Sequence, residues 1–281
     1  MPKNSRWILL VVGLLAASAN GASTSLERLF GLGPSIDTFT LTSETLGRDL
    51  HVYVRLPRAY DETDCDWPVV YLLDGGILFP MLAPYQLMLD IDELAPQVTM
   101  VGISYGGLGF ANGNLRSTDY TAPAPEPDYW GGADAYQEFL ADELIAKINA
   151  DYRVDHGRSL LLGQSLGGQF TLYTALTRPS LFSRYLSINP ALHRNVDFFV
   201  ELEPAAGEAP PILLTRSSEE APALAGPLDK WLLDRPQAQR DALSLDVQVL
   251  EGEHHASSAP AAYRAAMRWW SGASKASCGT D

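Results

Sequence analysis

The chain has 281 residues, 46% of them hydrophobic and 19% charged, with a formal net charge of −14. A chain of this length and apolar content buries a large core without staples, and one domain is its ordinary form. The acidic balance, with no basic stripe interleaved with aromatics, argues against nucleic acid and anionic membrane surfaces as partners.

The opening stretch "MPKNSRWILLVVGLLAASANG" carries Lys3 and Arg6, then an apolar run over 7–17, then the small residues Ala17, Ser18 and Ala19. Positive start, short greasy run and A-x-A order are those of a secretory signal, cleaved near Ala19. The apolar run is short for a bilayer span. The expected mature protein, 20–281, is therefore a single exported domain, periplasmic or extracellular, with no membrane anchor after cleavage. Export makes a disulfide between Cys65 and Cys278 permissible, and such a bridge would tie down the C-terminal tail.

Two alternating segments, 38–42 and 50–56, turn at Gly47 and predict an antiparallel edge. The next strand, at 69–73 in "PVVYLLDGG", is apolar on both faces, as a strand covered by helices on either side must be. The same signature returns at 98–104, 159–163, 185–189, 211–215 and 245–252. Helical periodicity fills the intervals at 85–94, 133–150, 166–176, 227–233 and 259–270. This alternation predicts an α/β fold: a mostly parallel central sheet, an antiparallel N-terminal edge and helices on both faces, with ligands at the carboxyl ends of the strands. One connection, 105–132, is too long for that rhythm. Its Arg116, Tyr120, Tyr129 and Trp130 predict an ordered wall or lid that binds substrate.

In "LLLGQSLGGQF" the pentapeptide Gly163-Gln164-Ser165-Leu166-Gly167 lies between a buried strand and a helix. G-x-S-x-G by itself is a weak signal, but a strand that turns at once into a helix strains its corner residue and exposes that side chain above the sheet. A serine hydroxyl needs a base, and the base needs a carboxylate. On this architecture they follow in the order serine, acid, histidine. "ILLTRSSEEAP" offers Glu219 and Glu220 after one strand; "LEGEHHASSAP" offers His254 and His255 after the last. His51 and His156 read as edge-strand and loop residues, and His193 as a loop residue that could reach the pocket rim. Adjacent histidines point apart and no H-E-x-x-H spacing occurs, so neither a metal nor another cofactor is expected. The oxyanion donors expected are the N–H of Leu166, directly after the serine, and that of Gly76, in the loop after the 69–73 strand. Arg116 either binds an anionic part of the substrate or pairs with Asp119.

Together the stretches "TLGRDLHVYVRLPRAY", "PVVYLLDGG", "VGISY", "LRSTDYT", "GGADAYQEFLADELIAKINADYRVD", "LLLGQSLGGQF" and "GEHHASSAP" resemble the esterases of the α/β-hydrolase superfamily. That family includes siderophore (enterochelin-type) esterases, S-formylglutathione hydrolases and mycolyl transferases. "RSTDYT" followed by "GGADAYQEFL" is most similar to the exported siderophore-esterase branch. The resemblance implies Ser165 as nucleophile, His255 as base and Glu219 as the aligned acid, with Glu220 as substitute because Arg216 replaces the family's usual glycine. "SINP" departs from the family's usual serine–proline pattern. The implied activity is hydrolysis of a small-molecule ester through an acyl-enzyme. The alternatives are acyl transfer on the same scaffold and a secreted, non-catalytic binding protein.

Overall fold

The computed structural model describes residues 36–271 apart from 108, 110, 111 and 236. The signal segment and Cys278, hence the Cys65–Cys278 pairing, lie outside the described residues. Strands β1 (Ile36–Ser43), β2 (Arg48–Arg55), β3 (Trp67–Leu72), β4 (Thr99–Ser104), β5 (Val154–Gln164), β6 (Arg184–Ile188), β7 (Ile212–Ser217) and β8 (Leu245–Leu250) form one sheet. Its order is β1-β2-β4-β3-β5-β6-β7-β8. The β1–β2 and β2–β4 pairs are antiparallel and the others parallel, so the edge expected at the N-terminus is present. The first hairpin turns at Gly47, whose φ of +65° suits glycine.

The continuous apolar runs reflect two cores. In β3 and just beyond it, Val69, Tyr71 and Leu73 enter one cluster while Val70 and Leu72 enter the other. In β5, Leu161 goes one way and Leu160 and Leu162 the other. A strand alternates sides with period two, so burial on both faces requires an apolar residue at every position. The first cluster receives helix Leu166–Thr177 and the stretch Ala133–Phe139, which continues through a π-helical turn, Leu140–Leu144, into Ile145–Asp151. The second receives helices Gly75–Ile91 and Ala259–Ser271.

The helix expected at 85–94 begins ten residues earlier, at Gly75, with Pro80 and Pro84 inside it. An interior proline costs a helix about 3 kcal/mol. Burying Leu78, Phe79, Leu82 and Leu89 against the sheet contributes about 1.5–3 kcal/mol each, which outweighs it. The described residues of the long connection include Tyr120, which is fully buried among Tyr105, Tyr136 and Phe170. No described helix is long and apolar enough to cross a membrane.

Candidate active site

Ser165 sits between β5 and helix Leu166–Thr177 with φ +61° and ψ −115°, a conformation that costs a non-glycine residue about 1–3 kcal/mol. The surroundings enforce it. The Ser165 N–H donates to Ile188 O at 2.9 Å, and the Ser165 carbonyl accepts from Gln169 N and Ala191 N at 2.9 and 3.1 Å. Strand and helix pass so closely that a Cβ on Gly163 would lie 2.2 Å from Gly167 O, and one on Gly168 would lie 2.6 Å from Ile188 O. Gly167, equally prominent in the motif, is less constrained: its nearest neighbours would stand at 3.4 and 3.5 Å.

The Ser165 Oγ lies 2.9 Å from His255 Nε2, and His255 Nδ1 lies 2.7 Å from Glu220 Oε2. His255 belongs to the loop between β8 and the last helix, Glu220 to the loop after β7. The structure therefore pairs the imidazole with Glu220 and not, as alignment on the family pattern implies, with Glu219. The reason is register. Ser218 N donates to Leu250 O and Glu219 N to Glu253 O, which continues the β7–β8 pairing past the strand ends. That leaves the Glu219 side chain exposed. The next side chain, Glu220, turns inward, its carboxylate only 7% exposed, and its second oxygen accepts from Ala221 N at 3.0 Å. His254 is exposed.

Ser165 and His255 open onto a cleft of about 360 Å³ that Asp74, Ile77, Asn114 and Arg116 also line, within the range of small-molecule sites. Arg116 is held by Asp74 through two hydrogen bonds, Nε to Oδ1 at 2.7 Å and Nη2 to Oδ2 at 2.8 Å. Its pairing with Asp119, one of two sequence readings, does not occur: Asp119 accepts from Arg48 and from the Tyr105 hydroxyl. Burial draws the Arg116 guanidinium down, but the charge and hydrogen bonds of Asp74 outweigh this and hold it above the ordinary arginine value. The cation in the cleft is permanent, and largely balanced by its neighbour.

A family model described as "Putative esterase" matches residues 43–261. The chain belongs to this esterase family. Over 184 residues it is 27% identical to the ferri-bacillibactin esterase BesA of Bacillus subtilis (strain 168), a stretch covering 60% of this chain and 62% of BesA, so less than two thirds of that relative's length is matched. The fold is shared with the BES protein from Bacillus cereus, at TM-score 0.67 and 23% identity over 84% of this chain and 95% of that one. It is shared equally with the enterobactin and salmochelin hydrolase IroE, at TM-score 0.66 and 22% identity over 84% and 95% of the two chains. These likenesses give this esterase-family chain the α/β-hydrolase fold expected from its motifs.

Of the residues expected to bind substrate, Tyr120 is placed otherwise. Tyr120 is 0% exposed, and its hydroxyl accepts from Asp74 N at 3.2 Å, so it supports the cleft wall from behind. A large ring flanked by Tyr105, Tyr136 and Phe170 gains more from the core than from the surface. Trp130 meets His193 edge-on, ring centres 5.8 Å apart, and is not among the residues lining the cleft. Leu166 and Gly76 stand in the first turns of their helices, where N–H groups have no acceptor within the helix. The two helix starts are adjacent, since Asp74 Oδ2 would lie 3.4 Å from a Cβ on Gly167.

Sequence reasoning singled out the turn at Asp74-Gly75-Gly76 and the stretch "SINP", but gave no side-chain role to Asp74, Gln164 or Asn189. Asp74 and Asn189 have φ of +53° and +41°, so three strand ends around the cleft, counting Ser165, hold non-glycine residues at positive φ. The sequence signal for each was slight: one polar residue directly after an apolar strand.

Proposed function

We propose that the protein is a serine carboxylic ester hydrolase that works through an acyl-enzyme. The observation that carries this reading is the hydrogen-bonded series Glu220–His255–Ser165 ending on a strained corner serine. With Nδ1–H donating to Glu220, the His255 Nε2 lone pair faces the serine hydroxyl and takes its proton as Oγ attacks the ester carbonyl. The oxyanion is met by the N–H groups of Leu166 and Gly76, at helix starts where the backbone dipoles favour negative charge. The imidazolium then returns its proton to the leaving alcohol. In the second half, water, deprotonated by the same ring, releases the acyl group and regenerates Ser165.

The substrate class that fits is a small-molecule ester of the siderophore type. Its support is the family and the relative BesA, described as a ferri-bacillibactin esterase. Arg116 retains N–H donors beyond the two bound to Asp74, and its fork suits an anionic group on such a ligand. The reading includes export, with Ser165 acting outside the cytoplasm after cleavage near Ala19.

The test is labelling by a fluorophosphonate together with turnover of an ester panel that includes ferric catecholate siderophores. Labelling and hydrolysis in the wild type, both lost in Ser165→Ala, are expected. A wild type that neither labels nor turns over any ester overturns the proposal in favour of a binding protein, and preferential transfer to an added alcohol in competition with water would make it an acyltransferase.

A further inference from the structure

We infer that Asn189 is a positioning residue for the His255 loop, an inference that rests on the hydrolase reading above. Asn189 directly follows β6, is 4% exposed and does not line the cleft. Its side chain joins three separate pieces of chain. The Oδ1 accepts from Ser217 N at 2.8 Å, at the end of the strand that leads to Glu220. The Nδ2 stands 2.9 Å from Ser217 Oγ, 2.8 Å from Ser258 Oγ and 3.2 Å from the carbonyl oxygen of His255 itself. Ser217 Oγ in turn donates to the carbonyl of His254 at 3.1 Å. The Asn189 backbone is fixed too, its N–H donating to Thr215 O at 2.9 Å, while the preceding residue, Ile188, accepts the Ser165 N–H.

The physical need for such a node follows from where the three reacting groups sit. Serine, acid and base come from three loops, and no regular secondary structure fixes the His255 loop at its 254–257 stretch. A displacement of about 1 Å in a reacting group costs as much as 100-fold in rate. One buried carboxamide supplies both an acceptor and two donors, which a shorter hydroxyl at that position does not. It thereby references the backbone of the base to the strand beside the nucleophile and to the strand of the acid. The stretch concerned, "SINP", is the one that departs from the family's serine–proline pattern. The φ of +41° is one that asparagine, aspartate and glycine tolerate, so substitutions to the latter two remove the side-chain donors with little backbone strain.

The experiment compares wild type, Asn189→Gly and Asn189→Asp by thermal unfolding, by steady-state kinetics on a p-nitrophenyl ester and by the rate of fluorophosphonate labelling. Asn189→Asp retains size and the acceptor for Ser217 N, but sets an acceptor against the His255 carbonyl. Expected for both variants is cooperative unfolding, kcat and labelling rate about 10- to 100-fold lower, and KM within about 2-fold of wild type. A kcat within about 2-fold of wild type in either folded variant overturns the inference, as does a rise in KM with kcat unchanged. Ser165→Ala, assayed in parallel, separates the two levels: residual hydrolysis there would sink the hydrolase reading, whereas its loss with normal Asn189 variants would sink only this inference.

Discussion

His255 Nδ1 and Glu220 Oε2 lie 2.7 Å apart, in a pair whose carboxylate is 7% exposed and whose imidazole is 26% exposed. In the proposed mechanism the shielded partner fixes ring orientation and tautomer, and the open partner meets substrate. Removing the buried charge therefore disturbs the base, while removing its exposed neighbour does not. Glu220→Gln is expected to lower kcat by about 100- to 10,000-fold, the span associated with loss of a triad carboxylate. Glu219→Gln should stay within about 2-fold of wild type. Steady-state kinetics on one ester decides between them, and the reverse ranking would reinstate Glu219.

The two glycines flanking Ser165 in the motif are predicted to respond differently. Gly163→Ala forces a methyl to within 2.2 Å of the Gly167 carbonyl oxygen, backbone against backbone. It should cost about 1–3 kcal/mol or more and displace the elbow. Gly167→Ala meets neighbours only at ordinary contact distances, 3.4 and 3.5 Å. Its stability should remain within about 1 kcal/mol of wild type, helped by the better helix propensity of alanine. Urea unfolding of both variants checks this.

Arg116 is expected to govern substrate charge preference rather than chemistry, because its contacts are to Asp74 and not to Ser165 or His255. Arg116→Gln should raise KM for an anionic ester roughly 10-fold, about 1.4 kcal/mol of lost binding, with a smaller change for a neutral ester of the same size. Equal changes for both esters would show that the guanidinium serves only to hold Asp74.

Acid stability carries a signature from Asp119. Burial pushes its carboxyl above the ordinary value, against the hydrogen bonds from Arg48 and Tyr105 that pull it down. A folded-state pKa above the unfolded one means that the folded chain binds the proton more tightly. The stabilisation is complete below the unfolded value, near 3.8, and is lost as pH rises through the raised folded value. The melting temperature of wild type relative to Asp119→Asn should therefore improve as pH falls from 7 toward about 4. A gap constant across that range, or one that widens against wild type in acid, would contradict the assignment.

How much of this was legible beforehand differs from element to element. The strands around 69–73 and 159–163 declared themselves because burial on both faces removes polar residues from the whole run. The helix at Gly75 did not, since Pro80 and Pro84 mask its periodicity and only the apolar surface it covers makes it helical. Tyr120 and Arg116, four residues apart in the same connection, read alike as wall residues. In the fold one closes the core and the other faces the cleft.

By itself the sequence determined the α/β alternation, the antiparallel edge and the placing of Ser165 and of the Glu–Glu and His–His pairs at three separate strand ends, because periodicity and strand-to-helix junctions are local properties. Tertiary structure alone decided which glutamate faces which histidine, what Arg116 pairs with, and that the residue after β6 ties the loops together. Each of these turns on a backbone register or an approach between segments tens of residues apart. A one-residue step there reverses the direction of a side chain without altering composition or pattern.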